Sequence, residues 1–241
     1  MLWIHVDDGA LAASSTDLMR FISSKLNEAL QIKWDESING LVGISITEAT
    51  VGFKFHQPDL VSKLLEVDAR HITAQSPLSA KCALETSKGG SMDKEYLRKI
   101  GMLLYIAQDS RPDKSYAVNY LARFSLGLTV AHWDALRHLI GYLCFTSDRG
   151  IIISRTPGTS IHRYVDANWG GEANRSMNGY ILFHGDNLVA WQSKRQAMVA
   201  ASTAQAEYLA LSFAANDCLW ISHIFAPILQ APIPTLLSDN C

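Results

Sequence analysis

The sequence predicts a mixed α/β (α+β) fold, and three observations carry that prediction. Extended runs alternate with amphipathic helical stretches through the first third. Three segments with helical apolar spacing follow one another between residues 93 and 146. After residue 150 the pattern changes to period-two segments, then one further helix and a short strand. We divide the 241 residues into 1–72, 73–148 and 149–241 on this basis.

In the first unit, an extended run surrounds Asp7-Asp8, and Ser15-Thr16-Asp17 caps a predicted helix from about Thr16 to Leu30. Leu41–Thr47 and Val51–Phe55 alternate like half-buried strands around Glu48-Ala49-Thr50, and Gln57-Pro58-Asp59 opens another helix with proline in its first turn. From about Thr73 to Met92 the chain turns to Ser, Pro, Lys and Gly. Lys88-Gly89-Gly90-Ser91 is the clearest breaker, and this stretch reads as an exposed connector.

Helices are then predicted over Asp93–Gln108, Asp113–Ser125 and Ala131–Thr146. Ile151-Ile152-Ile153 opens the last unit. Period-two segments follow near 161–169, 178–184 and 187–193, separated by glycine-containing turns such as His184-Gly185-Asp186-Asn187, and predict an antiparallel sheet. A helix from about Thr203 to Asn216, a proline-punctuated stretch to Pro234 and a strand at Thr235–Ser238 complete the order βββαβ.

Composition narrows the class without naming it. With 48% hydrophobic residues the chain can bury a full core, and a net charge of −2 carries no general basic signature. Contact with nucleic acid would have to come from local Lys and Arg clusters. Cys82, Cys144, Cys218 and Cys241 are scattered without CxxC spacing, which argues against a zinc site or disulfide framework and for a reducing, intracellular setting. Met1-Leu2-Trp3-Ile4 runs into Asp7-Asp8, so no secretory leader is expected. Cys218–Pro234, broken by His223, Gln230 and three prolines, is not expected to span a membrane.

Asp166, Glu207 and Asp239 are the most informative side chains. Asp166 lies inside the strand-like run His162–Trp169, Glu207 on the apolar side of a helix, and Asp239 after Thr235-Leu236-Leu237. Isolated buried carboxylates are expensive, but several converging on one point are tolerated when a divalent cation neutralises them, and oxygen-only ligation suits Mg²⁺. This predicts a Mg²⁺ site for phosphodiester chemistry. Taken singly, Glu207 reads as an exposed helix residue and Asp7-Asp8 as a solvated turn.

A family resemblance rests on motifs in fixed order. Asp7-Asp8 follows an apolar strand; Tyr96-Leu97-Arg98-Lys99-Ile100-Gly101-Met102-Leu103-Leu104-Tyr105-Ile106-Ala107 comes next, then Arg111-Pro112-Asp113. Tyr164-Val165-Asp166-Ala167-Asn168-Trp169, Trp191-Gln192-Ser193-Lys194-Arg195-Gln196 and Ala206-Glu207-Tyr208 complete the series. In this order they resemble copia-type retrotransposon polyproteins over essentially the whole chain. The resemblance implies the end of a reverse transcriptase palm, a helical thumb and connection segment, and a ribonuclease H-like mixed sheet with helices.

For the last unit the resemblance implies hydrolysis of the RNA strand of RNA/DNA hybrids, with Asp166, Glu207 and Asp239 as metal ligands for two Mg²⁺ ions, or Mn²⁺ in their place. Lys194, Arg195 and Arg175 are candidate phosphate contacts, set against simple surface charge. Hybrid recognition by shape and 2′-hydroxyls would give low sequence specificity. Ser202 and Thr203 are expected to cap the helix carrying Glu207, and Trp169 and Trp191 to be core rather than stacking platforms.

Asp7 and Asp8 match the polymerase carboxylate pair, with His5 where the family has Tyr. The further aspartate of that site is not among these residues, so a vestigial pair without polymerase activity is expected. The fourth acidic residue usual in such ribonucleases H is not found after Asp239, and Gln205 replaces an acidic residue. The alternative is an inactive remnant that at most binds nucleic acid. Expected partners are an RNA/DNA hybrid or other nucleic acid and the missing reverse transcriptase segment, in a cytoplasmic retrotransposon particle; the oligomeric state is left open.

Overall fold

The computed structural model describes residues 1–35, 37–67, 73–80, 82–85, 92–124, 126–170, 175–229 and 235–238. Asp239, Cys241 and the Lys88–Ser91 breaker lie outside them. In chain order, β1 (Leu2–His5) and β2 (Asp8–Leu11) form an isolated antiparallel hairpin, followed by α1 (Thr16–Ala29). The Ser15 side chain caps α1 by accepting from the Leu18 amide at 3.2 Å. Helix α1 has no buried residue: Leu18, Met19 and Phe21 are exposed, and Ile22 and Leu26 are half-buried.

Strands β3 (Gly40–Leu41), β4 (Ile44–Ala49), β5 (Gly52–His56) and β6 (Ile151–Ser154) form an antiparallel sheet in that order. The turn between β4 and β5 falls at Thr50-Val51, one to two residues later than expected. Strand β6 departs further from the sequence reading, because Ile151–Ser154 hydrogen-bonds to β5 instead of joining the C-terminal sheet. Two glycines make that pairing sterically feasible. A Cβ on Gly52 would stand 1.9 Å from the Ile153 carbonyl oxygen, and one on Gly150 2.4 Å from that of Phe55.

The middle of the chain is helical: α2 (Pro58–Val67), α3 (Lys94–Asp109), a 3₁₀ turn at Pro112–Lys114, α4 (Ser115–Leu121) and α5 (Val130–Phe145). Asp93 caps α3 through the amides of Glu95 and Tyr96. Apolar residues at helical spacing meet in one core, where Leu64, Ile100, Leu103, Val118, Leu136 and Leu139 are buried together. Inside it, the Tyr96 hydroxyl donates to the Leu121 carbonyl at 3.0 Å, and the Tyr120 hydroxyl accepts from the Leu84 amide at 3.0 Å.

The C-terminal unit holds β7 (Ile161–Asn168), β8 (Met177–His184), β9 (Asn187–Arg195), α6 (Thr203–Leu229) and β10 (Thr235–Ser238). Its sheet has the order β10-β7-β8-β9; β7, β8 and β9 are antiparallel, and β10 runs parallel to β7. A return to the parallel edge needs a long crossover, which the 27-residue α6 supplies. That helix continues well past the predicted end near Asn216. Among the described residues no helix is long and apolar enough to cross a membrane.

Polar contacts bind the units together. The Asn187 side chain accepts from the Ser154 amide at 2.7 Å and donates to the Ser154 carbonyl at 3.1 Å, tying β6 to the β8–β9 turn. The Trp191 indole donates to the Ala107 carbonyl at 2.8 Å, joining β9 to α3. Behind that contact lies a buried cationic cluster. Arg111 binds Asp113 through two hydrogen bonds and donates to the Thr146 carbonyl and hydroxyl, fastening the 3₁₀ turn to the end of α5.

Lys114 is fully buried, with its Nζ 5.1 Å above the Tyr142 ring and 3.8 Å from Asp113. No hydrogen bond satisfies it among the described residues. Burial, reinforced by Arg111, lowers its pKa from 10.5 to about 7. The unfolded chain therefore binds more protons than the folded one between these values, and stability rises with pH from about 7 to 10.5. Lys114→Met should flatten this dependence and raise stability at pH 7 by about 1–4 kcal/mol in urea titrations, because Asp113 keeps Arg111 as its partner. Gly52→Ala should lower the thermal midpoint by several degrees in a calorimetric scan, since β6 must move away to admit the methyl group.

Candidate nucleic-acid site on the C-terminal sheet

Strand β7 sorts its side chains by parity. Ile161, Arg163 and Val165 are buried, whereas Tyr164, Asp166 and Asn168 are exposed on the other face. Helix α6 covers the first face, where Val165 packs against Ala210 and Ala214, and Ile161 against Cys218 and Ile221. Arg163 sits in this interface with no exposed surface. Its guanidinium donates to the Ala214 carbonyl and lies 4.0 Å over the Tyr180 ring. Burial and a hydrogen bond with Asp217 push the Tyr180 hydroxyl up to about 12, so it stays protonated.

The opposite face lines a cleft of about 760 Å³ closed on one side by Pro112, Ser115 and Tyr116. Strand register arranges its floor in three rungs. Tyr164, Ile181 and Trp191 form the first, Asp166, Gly179 and Ser193 the second, and Asn168 and Met177 the third, which Arg195 continues past the residues that line the cleft. The Tyr164 ring is braced edge-on by His162 and Phe183, at 5.6 and 6.2 Å between centroids. Arg123, which follows α4, donates to the Met177 sulfur at the far end.

The predicted site residues divide between these faces. Asp166 faces the cleft and is exposed, which differs from the awkward burial expected of it: the strand turns its even positions away from α6. Arg195 shares the face of Asp166 at the third rung. Glu207, only 9% exposed, lies on the inner side of α6 in its first turns, and Lys194 faces the same helix with Nζ 5.7 Å over Phe213. Arg175 is exposed just before β8. Among the described residues no three His, Cys, Asp or Glu side chains cluster closely enough to hold a metal ion. Asp239 stands outside those residues.

Of the two expected capping residues, Ser202 holds the start of α6, and Thr203 is its first residue. Ser202 Oγ accepts from the Gln205 amide at 3.2 Å, and Gln205 Oε1 reaches back to the Ala201 amide at 2.6 Å. Gln196 then fastens this helix start to the sheet, because its Nε2 donates to Asn178 Oδ1 at 2.6 Å and to the Ala206 carbonyl at 2.9 Å. Trp169 is not core: its ring is half exposed and its indole donates to the Ala200 carbonyl at 3.0 Å. Nor is Trp191, which forms part of the cleft wall.

The amino-terminal carboxylates are used differently. Asp7 lies in the β1–β2 turn beside Val6, whose φ of 51° is unusual for a β-branched residue. Asp8 Oδ2 accepts from the Val42 amide at 2.9 Å, and the Tyr105 hydroxyl donates to the Val42 carbonyl. Val42 itself has φ 48° and precedes Gly43 at φ 70° in the β3–β4 turn. Asp8 thus holds a tight turn in place.

Sequence reading overlooked Arg163, Gln196, Tyr116 and Gly179. A charge at the middle of an apolar strand face was the available signal for Arg163, whereas the others are brought to their roles only by register and packing. Gln196→Ala should lower unfolding stability by about 1–3 kcal/mol in urea titrations, because it leaves buried acceptors on Asn178 and Ala206 without this donor.

No family model matches the chain. It is 30% identical over 246 residues to the retrovirus-related Pol polyprotein from transposon RE2 of Arabidopsis thaliana, covering 98% of this chain and 17% of that polyprotein. The chain therefore spans about one sixth of that relative's length. It is also 35% identical over 129 residues to the secreted RxLR effector protein 161 of Plasmopara viticola, covering 53% of this chain and 91% of that protein. Among solved structures, the foamy viral protease-reverse transcriptase in complex with an RNA/DNA hybrid aligns with 99% of this chain and 35% of its own, at TM-score 0.54 and 11% identity, a likeness of fold. The homologues of this chain over 98% of its length are thus copia-type retrotransposon Pol polyproteins, and the chain fits their C-terminal reverse transcriptase and ribonuclease H segment.

Proposed function

We propose that this segment hydrolyses the RNA strand of RNA/DNA hybrids in the manner of a ribonuclease H. The observation that carries the reading is the position of Asp166, in the strand paired to the parallel edge strand β10, with its carboxylate open to the large cleft. A flexible strand reaching that carboxylate meets Arg195 on the same face, one rung along and two strands across, well placed to grip a phosphate. The foamy viral relative's complex with an RNA/DNA hybrid adds support for the substrate class.

The donor set can be tested for metal by its chemistry. Asp166 and Asn168 present hard oxygen donors on one face, with no His or Cys on the three rungs, which suits Mg²⁺ or Mn²⁺. In the proposed site Asp166 holds the ion, with Asp239 and Glu207 completing the ligands by family resemblance. When bound, two Mg²⁺ ions supply activation of water and stabilisation of the departing 3′ oxygen. Asp166 would hold the ion beside which the scissile phosphate binds, Arg195 neutralises a neighbouring phosphate, Arg175 stands at the margin before β8, and Lys194 is turned toward α6 on the other face. Asp7 and Asp8 we read as a vestigial polymerase pair. Association with the rest of a reverse transcriptase, in a cytoplasmic retrotransposon particle, belongs to the same proposal.

One observation favours a second reading. Asp166 projects from the face of the sheet opposite the one that α6 and Glu207 cover, an arrangement that suits a remnant that binds nucleic acid without cutting it. Hydrolysis of end-labelled RNA in an RNA/DNA hybrid with Mg²⁺ separates the two. The catalytic reading expects cleavage that chelation removes and that Asp166→Asn lowers at least about 100-fold. Equal cleavage by both proteins would exclude Asp166 as a ligand. Retention of uncut hybrid by both would favour the binding remnant.

A further inference from the structure

The cleft above the C-terminal sheet has more structure than a metal-supported hydrolysis site requires. Hydrolysis as proposed uses the second rung, at Asp166. The first rung is aromatic and apolar, with Tyr164 nearly half exposed, Ile181 and Trp191 beside it and Tyr116 lining the same opening. The third ends in the exposed guanidinium of Arg195, with Arg123 reaching Met177 from the opposite wall. Polarity therefore changes in one direction along β7, β8 and β9.

Successive rungs are two residues apart, so the three span about 13 Å at about 3.4 Å per residue. That length accommodates a flat ring at one end and an anion at the other. Gly179 leaves the middle open: a Cβ there would meet nothing nearer than the Asp166 carbonyl oxygen at 4.0 Å, so the floor is low because a side chain is missing and not because backbone fills it. With no cation bound, Asp166 repels a phosphate from this rung toward Arg195. The Tyr164 ring is already fixed by His162 and Phe183, so little rotamer freedom is lost when another ring stacks on it.

We infer that this cleft binds one nucleotide of a single-stranded nucleic acid, stacking its unpaired base on the Tyr164–Ile181–Trp191 rung and placing the flanking phosphate at Arg195. The occupant is an unpaired base, because a base inside a duplex has both ring faces covered by its neighbours and cannot stack on Tyr164. Stacking of this kind tolerates any base, so affinity should follow ring presence and not sequence. The inference deepens the nucleic-acid reading of this sheet but does not depend on catalysis.

The test uses the full chain in chelator, where no hydrolysis occurs, and a short fluorescent oligothymidylate with a matched strand abasic at its central position. By anisotropy the base-bearing strand should bind about ten-fold more tightly than the abasic one. Tyr164→Ala and Gly179→Leu should each erase that difference while leaving abasic-strand affinity and the circular dichroism spectrum unchanged. Arg195→Gln should weaken both strands and reduce the salt dependence of binding. Equal affinity for base-bearing and abasic strands would overturn the inference, as would a difference that survives both floor substitutions. So would self-association in sedimentation runs that Gly179→Leu abolishes, since the face would then be an interface between copies. Hybrid cleavage with none of these base effects would leave the hydrolysis reading standing and sink this one alone.

Discussion

The two-residue alternation along β7 is the constraint on which the candidate site depends. It directs Ile161, Arg163 and Val165 under α6 and turns Tyr164, Asp166 and Asn168 toward the cleft. A slip of one residue in its pairing with β8 would bury Asp166 under the helix and expose Val165. The small side chains of Ala206, Ala210 and Ala214 let α6 approach closely enough to bury Arg163, whose guanidinium then bonds the helix backbone. Register, helix position and cleft composition are therefore one decision.

That decision is stabilised from outside the sheet. The Trp191 indole reaches the Ala107 carbonyl on α3, and Asn187 clasps both backbone groups of Ser154 on β6. Both contacts lie along β9 or its turn, so the helical unit and the N-terminal sheet hold the same edge. The cleft exists because α4 stands beside this edge, so that Tyr116 of α4 and Tyr164 of β7 line one opening that neither unit forms alone. Buried Arg111 and Lys114, joined through Asp113, anchor the 3₁₀ turn from which α4 departs, and so they set the position of the cleft wall.

Much of the architecture was readable from residue patterns. Helical spacing and capping groups located α1, α3, α5 and the start of α6 to within about two residues, because a local periodicity and a local hydrogen bond set each of them. The motif order identified the family before any coordinates, since each motif reports a short backbone segment and its neighbours in sequence. Strand partnership was harder. Ile151-Ile152-Ile153 looks like any apolar strand, and what assigns it to β5 is the absence of side chains at Gly52 and Gly150, contacts made across about one hundred residues.

The site shows the same boundary. Sequence alone determined that Asp166 lies in a strand, that Glu207 lies near the start of a capped helix, and which family supplies both, because propensity, periodicity and motif order are properties of consecutive residues. Only the tertiary structure decided that Asp166 looks into a cleft shared with α4 while Glu207 faces the sheet from α6. It also decided that Tyr164, Gly179 and Arg195 stand on the face of Asp166. Facing is set by register and by what packs on each side, and those are long-range contacts that no stretch of neighbouring residues encodes.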